Sequence, residues 1–382
     1  MIYLDNAASS LKKPQAVIDA VVAAIQNSGN AGRGSSQMAI EASRTIFKTR
    51  LLLNQLINGQ GPEQIVFTHN ATDSLNTVIK GIFQAGDHVI TTVMEHNSVL
   101  RPLYELEQAG VELTFIPINS KGVIDPQAVK AVIKENTKGM VLTHASNVTG
   151  NINPVKAVAE ILHQANKLCI VDASQTMGAI PIDVQDLDCD VLCFTGHKSL
   201  LGPQGTGGIY IKPGIIIRPL KSGGTGVDTF SHFQPEDYPT ALEAGTLNSH
   251  GIAGLGAGVE YLLEYGVSRI RDQERALIDY FYSQVTKINQ VKIYGSFDPD
   301  IDRCAILSLN LGDTDSSLIV EELIDRQEIM TRGGGHCAPL MHQALGTAEQ
   351  GLVRFSLSHY TSQEEIDTTV ACLKEIQADL AE

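Results

Sequence analysis

The chain has 382 residues, 43% of them hydrophobic, with a formal charge of −15. That length sets an expectation of roughly two to three domains with sizeable cores, and the acidity argues against a nucleic-acid footprint or an anionic-membrane surface. Met1–Ile2–Tyr3–Leu4–Asp5–Asn6 offers no basic segment followed by a long apolar one, so no secretory signal is expected, and no run approaches the ~18 apolar residues of a membrane span.

From Pro14 to Gln26, Val17, Ile18, Val21, Val22 and Ile25 recur at helical spacing, with a stop near Gly29. Residues 41–57 predict a second helix, closed by Gly59. Short apolar runs then predict strands at 64–68, 88–92, 112–117, 139–143, 168–172, 190–195 and 208–212, with helices between several of them. Asp125–Pro126 and Asn153–Pro154 read as a cap followed by a first-turn proline. This alternation implies a mostly parallel sheet covered on both faces, with ligands at the C-terminal strand ends. Near residue 250 the pattern changes. A Gly/Ala helix at 252–265 leads into an amphipathic helix at 267–287. Strands at 305–309, 329–332 and 352–357 and helices at 316–326 and 363–380 then predict a smaller α+β unit. Segment 214–245 is polar, rich in Gly and Pro, and long for a compact domain, which points to function or a dimer contact. Six cysteines are scattered without a C-x-x-C spacing, several in apolar runs. That is the pattern of a reduced, cytoplasmic chain with mostly buried thiols, and it argues against a metal or redox module.

The polar residues that end these strands carry the chemistry. The run 191–194 breaks into Thr195–Gly196–His197–Lys198. A lysine leaving a core strand needs partners, solvent or a reaction that consumes its charge, and a Schiff base to an aldehyde cofactor does the last. Pyridoxal phosphate needs such a lysine and a carboxylate at its pyridine nitrogen. Asp172 ends strand 168–172, and a carboxylate there keeps that nitrogen protonated; Gln175, two residues past Ala173, is placed to donate to the ring oxygen. Thr72 is read as the cap of a helix over 73–83, whose N-terminus would hold a phosphate. His96, after strand 88–92, offers a flat ring to stack on a pyridine, or else a helix cap. Asn147, after strand 139–143, offers an amide to the cofactor's phenolic oxygen or to substrate, or else marks a turn. Cys337 sits in Thr331–Arg332–Gly333–Gly334–Gly335–His336–Cys337, a mobile or tightly turned loop in which His336 and Arg332 would lower a thiol pKa. Arg354 opens the last strand. Its guanidinium fits an α-carboxylate, with a surface ion pair to Glu364 and Glu365 as the alternative.

These residues resemble a known group. Tyr3–Leu4–Asp5–Asn6–Ala7–Ala8, Asn30–Ala31–Gly32–Arg33–Gly34, Thr195–Gly196–His197–Lys198 with Gly202–Pro203, Glu243–Ala244–Gly245–Thr246–Leu247–Asn248, Arg332–Ala338 and Arg354 together resemble the pyridoxal-phosphate enzymes of aminotransferase class V. Within that class they are similar to the group II cysteine desulfurases and selenocysteine lyases. The resemblance implies the aspartate-aminotransferase-like fold type I of PLP-dependent transferases. It implies a large, mostly parallel seven-stranded sheet domain over residues 14–250 and a smaller α+β domain formed by 1–13 and 251–382. It implies that Lys198 bonds the cofactor and shuttles protons, Asp172 meets the pyridine nitrogen, Gln175 the ring oxygen, and His96 the ring face. Ala71, Thr72, Thr195 and His197 would hold phosphate, and Thr246 would reach the phosphate of the other subunit of a homodimer. Asn147, Arg354 and Arg33 would hold an amino-acid substrate, L-cysteine or selenocysteine. Cys337 would accept its sulfur as a persulfide, for hand-off to a sulfur-acceptor protein; an aminotransferase would leave Cys337 idle. Two places depart from the group's pattern. Gly32 and Ser36 stand where histidines are usual, and the stretch from Gly223 to Glu243 looks shorter than in the well-studied members.

Overall fold

The computed structural model describes residues 1–27 and 36–380. A two-residue strand, β1 (Ile2–Tyr3), is followed by α1 (Gln15–Asn27) and α2 (Gln37–Leu56). Then come β2 (Ile65–Thr68), α3 (Ala71–Ile82), β3 (His88–Thr92), α4 (Asn97–Gln108), β4 (Glu112–Ile116), α5 (Pro126–Ala131) and β5 (Thr137–Thr143). The series continues with α6 (Val155–Gln164), β6 (Leu168–Asp172), α7 (Val184–Leu187), β7 (Val191–Thr195) and β8 (Gly207–Ile211). β2 to β8 form one seven-stranded sheet in the order β2-β8-β7-β6-β5-β3-β4. Its strands run parallel except β8, which is antiparallel to both β2 and β7. Every residue of β3, β7 and β8 is buried, as expected for a sheet covered on both faces. Met140, Leu142, Val171 and Phe194 pack into one apolar cluster, and Val141, Ile170, Val191 and Cys193 into another. The alternation is the period-2 pattern of side chains on opposite sheet faces.

α8 (Ser249–Tyr265) carries glycines where α1 and α2 cross it. A Cβ on Gly254 would stand 2.6 Å from Val21, and one on Gly256 2.4 Å from Thr49, so only glycine permits this approach. α9 (Val267–Val285) begins in the large sheet's core through Ile270 and ends in a second core through Ile278, Phe281 and Val285. That second core covers a three-stranded antiparallel sheet of β9 (Val291–Tyr294), β10 (Ile306–Leu311) and, after α10 (Ser316–Gln327), β11 (Ile329–Met330) and α11 (Pro339–Leu345), the strand β12 (Val353–Ser356). α12 (Gln363–Asp379) closes it, behind a capping box between Ser362 and Glu365. β1 pairs parallel with β11, so the first residues of the chain belong to this second core, where Leu4 is fully buried. Among the described residues no helix is long and apolar enough to cross a membrane.

Several boundaries differ from the sequence expectation. α2 starts at Gln37, capped by Ser36, four residues before the predicted start. Met38 and Ile40 in its first turn are exposed and blur the apolar stripe. Asn153 does not cap α6. Its amide instead donates to the Thr143 carbonyl and accepts from the Ile124 N–H, leaving Pro154 at the cap position. β1 and β9 were not anticipated; their residues are only partly buried, apart from exposed Lys292, and too few to show a period.

Candidate functional site

The C-terminal ends of β3, β5, β6 and β7 and the start of α3 meet the second unit around a cavity of about 210 Å³. It is lined by Ala71, Thr72, His96, Asn147, Asp172, Gln175, Thr195, His197, Lys198, Cys337 and Arg354, residues expected from sequence. Asn70, Ser98, Arg332 and His336 join them. Arg33 lies outside the described residues. Thr246 is apart from the cavity: it is exposed and lines a neighbouring recess with His69, Asp73 and Lys221.

Lys198 follows β7 and opens partly onto the cavity, with its ammonium end deep in the protein. Burial lowers its pKa to about 8, with the Asp172 carboxylate pulling the other way. Asp172 is 4% exposed. One of its oxygens accepts from the N–H and hydroxyl of Ser174, which fixes the carboxylate beside the cavity. Gln175 donates to the Ala7 carbonyl at 3.3 Å, so part of its amide is spent on the N-terminal segment.

The phosphate end differs in detail from the expectation. α3 starts two residues earlier than predicted. Asn70, not Thr72, is its cap, accepting from the Asp73 N–H at 2.9 Å. The N–H groups of Ala71 and Thr72 therefore begin the helix, and the Thr72 hydroxyl meets Ser98 at 2.7 Å. Ser98 in turn lies 2.9 Å from His96 Nδ1. His96 is a cap and also a cavity residue. Nδ1 caps α4 by accepting from the Ser98 N–H, and the ring lines the cavity. Burial and then the Lys198 charge push its pKa down to about 4, so it is neutral with the proton on Nε2. His197 is likewise held to about 4 by burial and by Lys198 and Lys13. Behind this row lies Glu95, which sequence reasoning missed. It is fully buried and pushed up to about 8 by that burial, with Oε2 unpartnered.

On the opposite wall, Arg354 is 2% exposed and does not pair with Glu364 or Glu365. Its guanidinium donates to the Asn147 carbonyl at 3.0 Å and to Asp5 at 2.9 Å, while Nε has no partner among the described residues. Asp5 was legible as part of Tyr-Leu-Asp-Asn but not as this ion pair. The Asn147 amide donates to the His336 carbonyl at 2.8 Å, so it anchors the cysteine loop.

That loop is a tight turn. His336 and Cys337 both have positive φ (48° and 56°), and the Ala338 N–H donates to the Gly335 carbonyl at 3.0 Å, as in a type I′ turn. Two non-glycine residues there cost about 1–2 kcal/mol each. The Cys337 carbonyl accepts from the Asn97 N–H at 2.7 Å, so the loop is pinned rather than mobile. Cys337 is exposed, whereas the other five cysteines are buried. Of the two residues expected to lower the thiol pKa, His336 is the one the structure leaves neutral. Its ring is 5% exposed and held to about 3 by burial and the Arg354 charge, with Nε2 at the Arg332 carbonyl. Positive charge on this side comes from Arg332 and Arg354, which share the cavity with the thiol.

These parts fit pyridoxal phosphate. The Thr195 hydroxyl is buried on the cavity wall, without a partner among the described residues. Two helix-start N–H groups face the same end, and a carboxylate and a lysine of lowered pKa stand further in.

Residues 2–369 match the Aminotransferase class-V family, and the chain belongs to that family, whose members are pyridoxal-phosphate-dependent. It is 34% identical to a probable cysteine desulfurase of Synechocystis sp., over 98% of this chain and 90% of that one. It is equally 34% identical to the cysteine desulfurase of Yersinia pestis, over 99% of this chain and 93% of the relative. The fold superposes on the apo cysteine desulfurase of Thermococcus onnurineus NA1 with a TM-score of 0.93 and 31% identity, covering 99% and 95% of the two chains. The cysteine desulfurase CsdA of Escherichia coli, in an S-sulfonic acid form, gives 0.89 and 29%, covering 99% and 94%. These match the fold type I architecture expected from sequence.

Proposed function

We propose that the chain is a cysteine desulfurase that converts L-cysteine to L-alanine and takes the sulfur onto Cys337 as a persulfide. The observation that carries this reading is the exposed Cys337, held in a pinned turn on the cavity that Lys198 and Asp172 line. Lys198, Asp172, Gln175, His96, Thr195, His197 and the first N–H groups of α3 would hold pyridoxal phosphate, which when bound would supply an electron sink for charge developing at the substrate Cα. Lys198, at about 8, both gives up and takes back a proton near neutral pH, which suits proton movement at Cα. Asp172, held by Ser174, would face the pyridine nitrogen. Neutral His96 offers a ring face, its orientation set by the Ser98 N–H. Arg354 and Arg332 attract the substrate carboxylate. The Cys337 sulfur bonds to the substrate Sγ, the Cβ–Sγ bond breaks, and a proton delivered to the carbon completes alanine.

Thr246 and its loop support a homodimer. Thr246 is exposed beside the cavity rather than in it, and Ile216, Phe230 and Phe233 on the same segment are 84–99% exposed, more apolar surface than a free loop usually shows. A second copy would cover them and bring its Thr246 to the phosphate end. The persulfide on an exposed cysteine can pass to an acceptor protein, and buried reduced thiols suit the cytoplasm.

The test is Cys337→Ala. Sulfide release from L-cysteine should be largely abolished while the cofactor's absorption stays intact. Cleavage of selenocysteine should be largely spared, because selenium leaves carbon more readily than sulfur. A variant that releases sulfur at the wild-type rate, with no persulfide trapped on Cys337, overturns the reading. Sedimentation showing a fully active monomer overturns the dimer.

A further inference from the structure

The mechanism above makes no use of His336 or of His342, which faces it from α11. Both are buried, at 5% and 2% exposure, and their rings lie edge to edge with centroids 5.5 Å apart and planes 13° from parallel. We propose that His342 is a positioning residue for Cys337, acting through His336.

The shorter contacts set one direction. His336 Nε2 lies 3.1 Å from the Arg332 carbonyl, which can only accept, so Nε2 carries the proton and Nδ1 is an acceptor. The atom opposite Nδ1, at 3.3 Å, is His342 Nε2, which must therefore donate. His342 Nδ1 then accepts the Thr347 hydroxyl at 2.9 Å, the shorter of its two contacts, and the Thr347 carbonyl 3.3 Å away takes no proton from it. Thr347 is itself 2% exposed. The chain Thr347–His342–His336–Arg332 thus crosses beneath the turn with each buried nitrogen satisfied. Burial lowers the pKa of both imidazoles, in keeping with two neutral rings.

What this row holds is a conformation that the backbone resists. Positive φ at both His336 and Cys337 persists only where surrounding contacts impose it. Asn147 and Asn97 grip the two carbonyls of the turn. The carbonyl bonds constrain the peptide planes, and the Arg332 carbonyl holds one edge of the His336 ring. His342 holds the opposite edge, beside the cavity that Cys337 shares with Arg332 and Arg354. Asn97 also follows the ring-bearing His96 directly, so thiol and cofactor wall share one anchor.

This rests on Cys337 as the sulfur acceptor, and the test separates the two ideas by reading the thiol directly. With the other cysteines buried, iodoacetamide alkylation of Cys337 in the holoenzyme, followed by peptide mass analysis, reports the thiol's setting. His342→Leu removes the donor at similar volume. Alkylation at neutral pH should slow about tenfold, and kcat for alanine formation should fall by a similar factor at unchanged KM, the size of one lost hydrogen bond. His342→Gln keeps a donor toward His336 Nδ1 and should restore both to within about twofold. Thr347→Val, a milder change that guards against a misfolded first variant, should slow alkylation about threefold. Alkylation that is unchanged or faster in His342→Leu, or equally slowed in His342→Gln, overturns the assignment. Wild-type holoenzyme that makes no alanine from L-cysteine sinks the desulfurase reading instead, and the alkylation comparison stands without it.

Discussion

The buried ion pair between Arg50 and Glu243 permits a quantitative prediction. Their side chains are 7% and 8% exposed. Arg50, on α2, donates to Glu243 and to the Ile65 carbonyl and lies over the Phe67 ring. Glu243 also accepts from the Phe67 N–H at 2.6 Å. The pair fastens α2 to the edge of the sheet and anchors the segment that leads to Thr246. Burial raises the Glu243 carboxyl above its ordinary value of 4.5, against the pull of Arg50. Arg50→Met strands that carboxyl, which then escapes by taking up a proton. Protonation caps the cost. Neutralising a group of pKa 4.5 at pH 7 costs about 3.4 kcal/mol, at about 1.36 kcal/mol per unit, and at pH 5 about 0.7 kcal/mol. The lost bond to Ile65 adds about 1 kcal/mol at either pH. In the variant, the folded-state pKa of this acid rises further above its unfolded value, so the folded form loses ground as pH climbs past about 4.5. Arg50→Met should therefore cost up to about 4 kcal/mol at pH 7 and about 2 kcal/mol at pH 5. Adding Glu243→Gln should recover most of the difference. Urea unfolding of the holoenzyme followed by circular dichroism at the two pH values measures both. A cost that is equal at pH 5 and pH 7, or below about 1 kcal/mol at pH 7, refutes the reasoning.

Lys198→Ala should abolish turnover, and borohydride should no longer fix cofactor to the chain; covalent cofactor at another lysine would remove Lys198 from its role. Asp172→Ala should retain cofactor yet slow substrate Cα–H exchange by ~10²-fold or more, whereas undiminished exchange would make Asp172 only the partner of Ser174. His163 is a separate pH-sensitive clamp: burial disfavours its cation, but bonds to Asp190 at 2.9 Å and Asp188 at 2.8 Å outweigh that and raise its pKa. Its stabilisation is full below the ordinary value of 6.5 and fades as pH rises through the raised folded value. His163→Ala should accordingly lower the melting temperature more at about pH 6 than at about pH 9, and a pH-independent loss would show that the ring's packing, not its charge, matters.

What could be read from sequence divides along a physical line. The strands of the large sheet were most legible in β6 and β7, buried apolar runs that end on one polar residue each. Asp172 and Lys198 inherit their places from those ends. Where an element's burial is partial, as in β9, or its first turn is exposed, as in α2, the period fades and the boundary moves. Thr72 reads as a cap because Ser/Thr and Asn are both good caps and stand two residues apart; the Asn70 bond to the Asp73 N–H decides between them.

The substrate side of the site resisted sequence reasoning for a different cause. Its residues act through partners far away in the chain. Arg354 is held by Asp5, 349 positions earlier, and Asn147 holds the carbonyl of His336, 189 positions later. No local pattern encodes such a pair, so chemical type alone suggested that Arg354 grips a carboxylate and that His336 charges a thiol. The first suggestion finds a buried guanidinium with an unpartnered Nε on the cavity. The second meets a ring whose two nitrogens are already committed to Arg332 and His342. A histidine beside a cysteine in sequence is thus a weaker sign of thiol activation than the arginines that the fold brings across from β12 and the start of the glycine loop. Adjacency in the chain here sets the strain of the turn, while the charge that meets the thiol comes from residues the fold has gathered.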